Sequence, residues 1–367
     1  MNETNYKPEV VRDYVSEILE KHGAPPEKAG VTSFVLVEAD MRGIFSHGIN
    51  SLDMLLLRSI RDGGTDPKAV AEDKTRNKTY PIRHIDAHGG LGHPVAMMAV
   101  DRVKSLAREY GFGKVYVFNA NHFGVAAVYS EKICEEKDLA GRIFCTTPAV
   151  VKPYGGGNNR LGTNLISWSI PYVGGVVTID MATTIHAISG ILEALIEKSP
   201  LPFPVYDQEG NETIDPGVFA GPDEFLEKGS MIPLGGLGTG NADAGYKGTG
   251  LAMLIELDNV IGGGFSRYIS PVVHDQRRWI RQTFEAWRMD TFLPKEKALQ
   301  SISDTVSNIK NKQRGSMLLP GEKEARKRKK ALREGIPFSP KQVERLERLG
   351  KKIGLGKLEP CEMKATD

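Results

Sequence analysis

Between residues 94 and 145 the chain alternates between helical and strand texture, and this alternation restricts the possible folds more than any other feature. Val95, Met98, Ala99, Val103, Leu106 and Ala107 recur at three- and four-residue spacing, which predicts a helix over 94–110 with one buried stripe. A glycine pair, Gly111 and Gly113, ends it. Lys114-Val-Tyr-Val-Phe118 then has the β-branched and aromatic content of a strand. A loop over 119–124, a helix over 125–135 and a second strand over 140–145 follow. Such a succession predicts an α/β unit, with ligands expected at the carboxyl ends of its strands.

On either side the texture differs. Apolar residues at helical spacing predict helices over 6–21, 25–37 and 52–60, while the polar stretch 66–78 reads as loop or edge. The middle third is rich in glycine, with strand candidates over 165–170 and 176–179 and a surface loop or hairpin over 205–219. Leu251, Leu254, Ile255 and Leu257 suggest a buried helix over 248–260, closed by Gly262-Gly263-Gly264. Ile280, Phe284 and Trp287, four and three apart, predict an amphipathic helix over 277–289, and the tail over 295–349 reads as helical and polar. Seven basic residues crowd 323–333, but glutamates interleave with and flank them, which favours a solvated helix face over a nucleic-acid contact.

Several functional classes are excluded by bulk properties. A net charge of +2 over 367 residues requires neither nucleic acid nor a membrane surface. No stretch approaches ~18 uncharged apolar residues and no apolar leader opens the chain, so no membrane span is expected. Cys134, Cys145 and Cys361 are odd in number and far apart, which argues against a disulfide framework or a zinc site and for a reducing, cytoplasmic compartment.

The stretch Glu38-Ala-Asp40-Met-Arg42-Gly-Ile-Phe-Ser46-His47-Gly48 is the densest in chemistry. Two carboxylates, an arginine, a hydroxyl and an imidazole lie where an apolar run stops. Histidine can give or take a proton near neutral pH. A second imidazole, His122, sits at the predicted end of a strand. Asp180-Met181-Ala182-Thr183 follows another strand with a carboxylate and a hydroxyl. Gly245-Tyr246-Lys247-Gly248 precedes a helix, where an ammonium and a helix amino-terminus can both face an anion. His84, His88, His93 and His186 read as structural or surface residues, and no metal site is expected. Neither Gly90-Leu-Gly92 nor the GxGxG at 236–240 satisfies the dinucleotide fingerprint between a strand and a helix.

In one order, Ser46-His-Gly, Asn119-Ala-Asn-His-Phe-Gly, Gly162-Thr-Asn, Asp180-Met-Ala-Thr-Thr, Gly245-Tyr-Lys-Gly and Leu318-Leu-Pro-Gly-Glu resemble the second-type malate/L-lactate dehydrogenase family over roughly 6–354. The family also includes ureidoglycolate, sulfolactate and diketogulonate enzymes and a cyclic-imine reductase. The resemblance implies a non-Rossmann NAD(P)-binding α/β domain over 79–276 and a helical substrate and dimerisation domain from 1–78 and 277–367. It further implies a homodimer, NAD or NADP as cofactor, and a small 2-hydroxy or 2-oxo acid as substrate. His47 matches the acid/base histidine and His122 a second active-site histidine. Asp180, Met181, Ala182, Thr183, Tyr246, Lys247 and, more loosely, Thr147 match cofactor contacts. Hydride would pass between nicotinamide and carbonyl carbon while His47 moves the proton.

Two departures bear on substrate. Ser51 stands where the family usually has an arginine and Leu55 where it often has a tyrosine. An arginine there would clamp a carboxylate in two charged hydrogen bonds. Ser46, Arg42 and Ser51 are therefore the candidate substrate residues, with Arg42 as replacement clamp. The departures leave open an enzyme for a different acid, or a catalytically weakened homologue that serves as a cofactor-binding or structural dimer.

Overall fold

The computed structural model describes residues 3–219, 229–236, 244–263, 280–311 and 317–361. The amino-terminal part contains β1 (Thr4–Tyr6), α1 (Pro8–Lys21) and α2 (Pro26–Met41). Each of the two helices carries proline in its first turn, where the missing N–H costs nothing. A 3₁₀ turn (Phe45–His47) leads into α3 (Ile49–Ser51), which continues through a π-helical stretch (Leu52–Leu57) into α4 (Arg58–Arg61). Next come β2 (Glu72–Asp73), β3 (Ile82–Asp86), α5 (Gly92–Tyr110), β4 (Phe112–Ala120), α6 (Ala126–Ile133) and β5 (Leu139–Cys145). The middle contains β6 (Leu165–Tyr172), β7 (Gly175–Met181), α7 (Ile188–Glu197) and the hairpin of β8 (Val205–Tyr206) and β9 (Glu212–Thr213). The remainder is α8 (Gly245–Gly263), β10 (Ile280–Arg288), α9 (Lys295–Lys310), α10 (Glu322–Glu334), β11 (Ile336–Phe338) and α11 (Pro340–Lys352).

Seven strands form the central sheet, in the order β2-β3-β4-β10-β5-β6-β7. β3 and β4 run parallel, and β10 is antiparallel to both of its neighbours. Because β10, β6 and β7 each reverse direction, β4, β5 and β7 all end on the same edge. Phe284 of β10 faces α5 and α6, packed with Phe123 and Tyr129, while its neighbour Thr283 donates to Asn259 of α8 at 3.0 Å. Successive strand residues point to opposite faces, so α8 covers the other side of the sheet.

The helix predicted over 277–289 is corrected: 280–288 is the central strand, and 277–279 lies outside the described residues. A strand covered on both faces buries almost every residue, so the alternation that would have marked it is lost. The reading of 248–260 as a buried helix is also corrected. α8 turns Ala252, Ile255, Glu256 and Asn259 inward, whereas Leu254 and Leu257 are each 58% exposed and Ile261 is 79% exposed. Gly264 and most of the GxGxG at 236–240 lie outside the described residues.

Residues from both chain ends share one core: Val11, Ile18, Leu36, Leu52 and Leu57 pack with Ile336, Phe338, Leu346 and Leu349. β1 pairs with β11 to close it. A third cluster, around Val150, Ile191, Leu201 and Phe219, stands apart from the sheet core. The basic helix α10 is largely solvated, buries Ala331 in this core, and is tied down at Arg328, whose guanidinium makes two 2.7 Å bonds to the buried Glu38.

Candidate active site

The 3₁₀ turn and the loop after β4 bring His47 and His122 together, with ring centroids 5.5 Å apart. Ser46 Oγ lies 3.0 Å from His47 Nδ1. His122 Nδ1 accepts from the backbone N–H of Gly124 at 3.3 Å, so the proton of the neutral ring sits on Nε2. His93, in the first turn of α5, adds a third imidazole, 6.3 Å from His122 and edge-on to it. Its ring is 1% exposed, and neither nitrogen has a hydrogen-bond partner among the described residues. Of the two readings the sequence left for His93, structural or surface, it is not a surface residue. Its signal was present in the sequence as Gly92 beside it. A Cβ at Gly92 would overlap the carbonyls of Asn121 and His122, so the helix start is pressed against the His122 loop. Asn121 fixes that loop from below, donating to Gly89 O at 2.7 Å and Gly90 O at 3.0 Å.

All three rings are held neutral. Burial lowers His47 from 6.5 to about 4 and His93 to about 3. His122 falls well below its ordinary value through burial and the proximity of the other two imidazoles. For His47 the shift is worth roughly 3 kcal/mol against the imidazolium. An anion entering the cleft would offset part of this cost.

The other candidates lie along the same edge of the sheet. Asp180 accepts from Ala127 N at 2.7 Å and so caps α6. The surrounding protein, reinforced by Glu131, raises its carboxyl to about 7, although the residue is exposed to solvent. Met181 and Ala182 follow, half-buried. Thr183 spends its hydroxyl and amide on Thr163 O, at 3.0 and 2.9 Å. Thr147 is likewise engaged: its Oγ1 accepts from Thr163 N at 2.8 Å and its amide donates to Asn164 Oδ1 at 3.1 Å. These hydroxyls stitch the strand ends together. Tyr246 and Lys247 are exposed in the first turn of α8, with Lys247 Nζ 5.8 Å from the Tyr246 ring centroid. The amides of Lys247 and Gly248 already donate to Ala244 O and Leu234 O, which leaves the ammonium and the helix dipole as the attraction for an anion.

Two substrate candidates are corrected. Arg42 is buried and committed, with its guanidinium 2.8 Å from Glu131 and 3.3 Å from Glu38, so it is not a free clamp. Ser51 is buried and donates to Gly48 O at 2.7 Å. Asp40, one of the two carboxylates of the stretch around His47, receives the Ile49 amide. Gln282, in the misread strand, escaped sequence reasoning because it depends on long-range pairing, and donates to Asn121 O at 3.3 Å. Among the described residues no group of three or more His, Cys, Asp or Glu side chains could hold a metal ion, and no helix is long and apolar enough to cross a membrane.

The family model for malate/L-lactate dehydrogenase matches residues 6–347. The L-sulfolactate dehydrogenase of Methanocaldococcus jannaschii is 30% identical over 355 residues, covering 95% of this chain and 97% of that protein. The NADP(+)-dependent (2R)-3-sulfolactate dehydrogenase of Chromohalobacter salexigens is 32% identical over 242 residues, 65% of this chain and 66% of that protein. The solved malate dehydrogenase of Pyrococcus horikoshii superposes with a TM-score of 0.83 at 25% identity, covering 98% of each chain.

Proposed function

The chain belongs to the malate/L-lactate dehydrogenase family, and from that membership we propose that it is an NAD(P)-dependent oxidoreductase interconverting a small 2-hydroxy acid and its 2-oxo acid. The observation that carries the proposal is the pair of neutral imidazoles, His47 and His122, facing each other at the strand ends. Lys247, exposed at the positive end of a 19-residue helix, and the carboxylate of Asp180 are a donor and an acceptor suited to a dinucleotide, which the segment of Met181, Ala182 and Thr183, with Thr147 and Tyr246, would flank. A bound nicotinamide would supply or accept the hydride.

The protein's own contribution is proton transfer and orientation. With Nδ1–H donating to Ser46 Oγ, His47 presents Nε2 as a base to a substrate hydroxyl. His122, protonated on Nε2, can donate to the same oxygen and support the charge that develops there. In the reducing direction the carboxylate of the incoming acid favours the imidazolium that His47 needs. With Arg42 and Ser51 both engaged, a substrate carboxylate finds no clamp in either, so malate and lactate are expected to be poor substrates. A panel of 2-oxo acids with NADH and NADPH tests this. Turnover of none of them would favour a homologue that keeps the fold without catalysis.

We read the assembly as a homodimer. α8 places Glu256 and Asn259 beside Ala252 and Ile255 on its inward face and is apolar outward through Leu251, Met253, Leu254, Leu257 and Ile261, which a second copy would bury. The α/β cofactor unit without the usual glycine fingerprint, and the helical unit from both chain ends, belong to the same reading. So does a cytoplasmic setting, in keeping with three free cysteines.

A further inference from the structure

We propose that Asp40 is a positioning residue for His47, clasping the Gly48–Ile49 peptide one residue beyond it so that the imidazole is held against His122. The inference rests on the reading of His47 as the proton-transfer group, since Asp40 acts only through it.

Asp40 lies near the end of α2 and is 1% exposed. The chain leaves the helix at Arg42, reverses at Gly43 with φ +72°, passes through Ser46 and His47, and returns to Asp40 at Gly48 and Ile49. There Ile49 N donates to Asp40 Oδ2 at 3.0 Å. From the other side Ser51 Oγ donates to Gly48 O at 2.7 Å. Those two bonds belong to one peptide plane: its N–H is that of Ile49 and its C=O that of Gly48. A rigid plane held at both polar ends fixes the torsions on either side of it. Gly48 lies so close to the carboxyl of Asp40 that a Cβ would overlap both its oxygens. The glycine after the histidine thus serves the carboxyl beneath it.

The clasp works by accepting a hydrogen bond and not by charge. Oδ1 of Asp40 has no partner, no ion pair engages the carboxyl among the described residues, and burial raises it well above the carboxylate range. The low value of His47 arises from burial alone, with no contribution from Asp40. An amide of the same shape should therefore replace the acid.

The test uses the full chain with Asp40→Asn, Asp40→Ala and Gly48→Ala, reading kcat, the KM for cofactor and the ring ¹⁵N signals of His47. Asp40→Asn should retain kcat within about threefold, while Asp40→Ala and Gly48→Ala should lose ~10-fold or more with cofactor KM little changed, as misplacement of a reacting group requires. The His47 signals should move in the two alanine variants and stay in the asparagine variant. Full kcat and unmoved His47 signals in Asp40→Ala would overturn the proposal, and so would equal losses in Asn and Ala. If Asp40→Ala does not fold, Gly48→Ala decides: unmoved signals there refute the clasp. Intact turnover in His47→Ala would instead overturn the role of His47, while displaced His47 signals would still support the clasp.

Discussion

α5 and α8 have the same length, 19 residues, begin and pack alike on opposite faces of one sheet, and have opposite polarity. α5 buries Val95, Ala99, Val100, Val103 and Leu106 and turns Asp101, Arg102, Arg108 and Glu109 outward, with Lys104 its one buried charged side chain among Asp, Glu, Lys and Arg. α8 turns Glu256 and Asn259 inward, where Asn164 donates to Glu256 at 3.1 Å and Thr283 to Asn259 at 3.0 Å, and leaves its leucines in solvent. Lys114 adds a 2.6 Å pair to Asp258 of α8. The difference teaches that an apolar stripe marks a buried face without saying what buries it. In α5 the chain's own sheet does so; in α8 the sheet is met in part by polar groups and the stripe faces elsewhere.

Each helix also carries a candidate site residue in its first turn, His93 on α5 and Lys247 on α8. If proton transfer belongs to the α5 end and cofactor binding to the α8 end, variants should divide between kcat and cofactor affinity. The largest effect is expected at His47: His47→Ala should lower kcat by ~10²-fold or more with cofactor KM unchanged. Near-normal turnover would pass the proton to His122 and blur the division.

Next in size is the outward face of α8. Leu254→Glu with Leu257→Glu places two charges where a second copy would sit, and light scattering should then find the 40.2 kDa chain in place of a particle of twice that mass. Val103→Glu on α5 should instead lower the folded fraction, because its site is filled by its own chain. A native protein already at the single-chain mass would break the contrast between the helices.

A smaller effect is expected at Lys247. Lys247→Ala should weaken dinucleotide binding by ~10-fold in a calorimetric titration and leave kcat at saturation nearly unchanged, as loss of one charge-assisted contact implies. Unchanged affinity would remove the α8 end from the cofactor site.

The smallest effect is a displacement on the pH axis. His47 titrates at about 4 in the folded protein against 6.5 for an ordinary imidazole, so it remains a base across the interval between them. In the oxidising direction the acid limb of kcat/KM should fall below pH 6, where an exposed histidine would already have lost its function. The same depression means that the unfolded chain binds more protons in that window. The contribution of His47 to stability is therefore present above 6.5 and lost as pH falls toward 4. An acid limb at 6.5 would show that the cleft does not keep the ring dry.

Much of the fold was legible locally. Proline starts, three-four spacing and a terminal glycine are short-range signals, and α1, α2 and α5 follow them. β10 was not legible, since a strand with both faces covered carries no alternation. Among the site candidates, His47 and His122 could be found because each lies in a glycine-flanked loop at the end of an element. Arg42 could not be judged from its neighbours: the partner that commits it, Glu131, is on α6, and Glu38 is held in turn by Arg328 of α10.

By itself the sequence determined most of the helices and strands, the central strand β10 excepted, which side chains carry protons and anions, and the order in which those groups occur, because each depends on residues within one or two turns of each other. Only the tertiary structure decided which groups remain available. Pairing across the chain consumed Arg42, Ser51, Thr147 and Thr183 in holding the fold, brought His93 beside His122, and set Asp40 beneath Gly48. The physical reason is that a buried polar group must be satisfied wherever the fold places it. Whether a side chain is a tool or a fastener is settled by the partner that meets it in space.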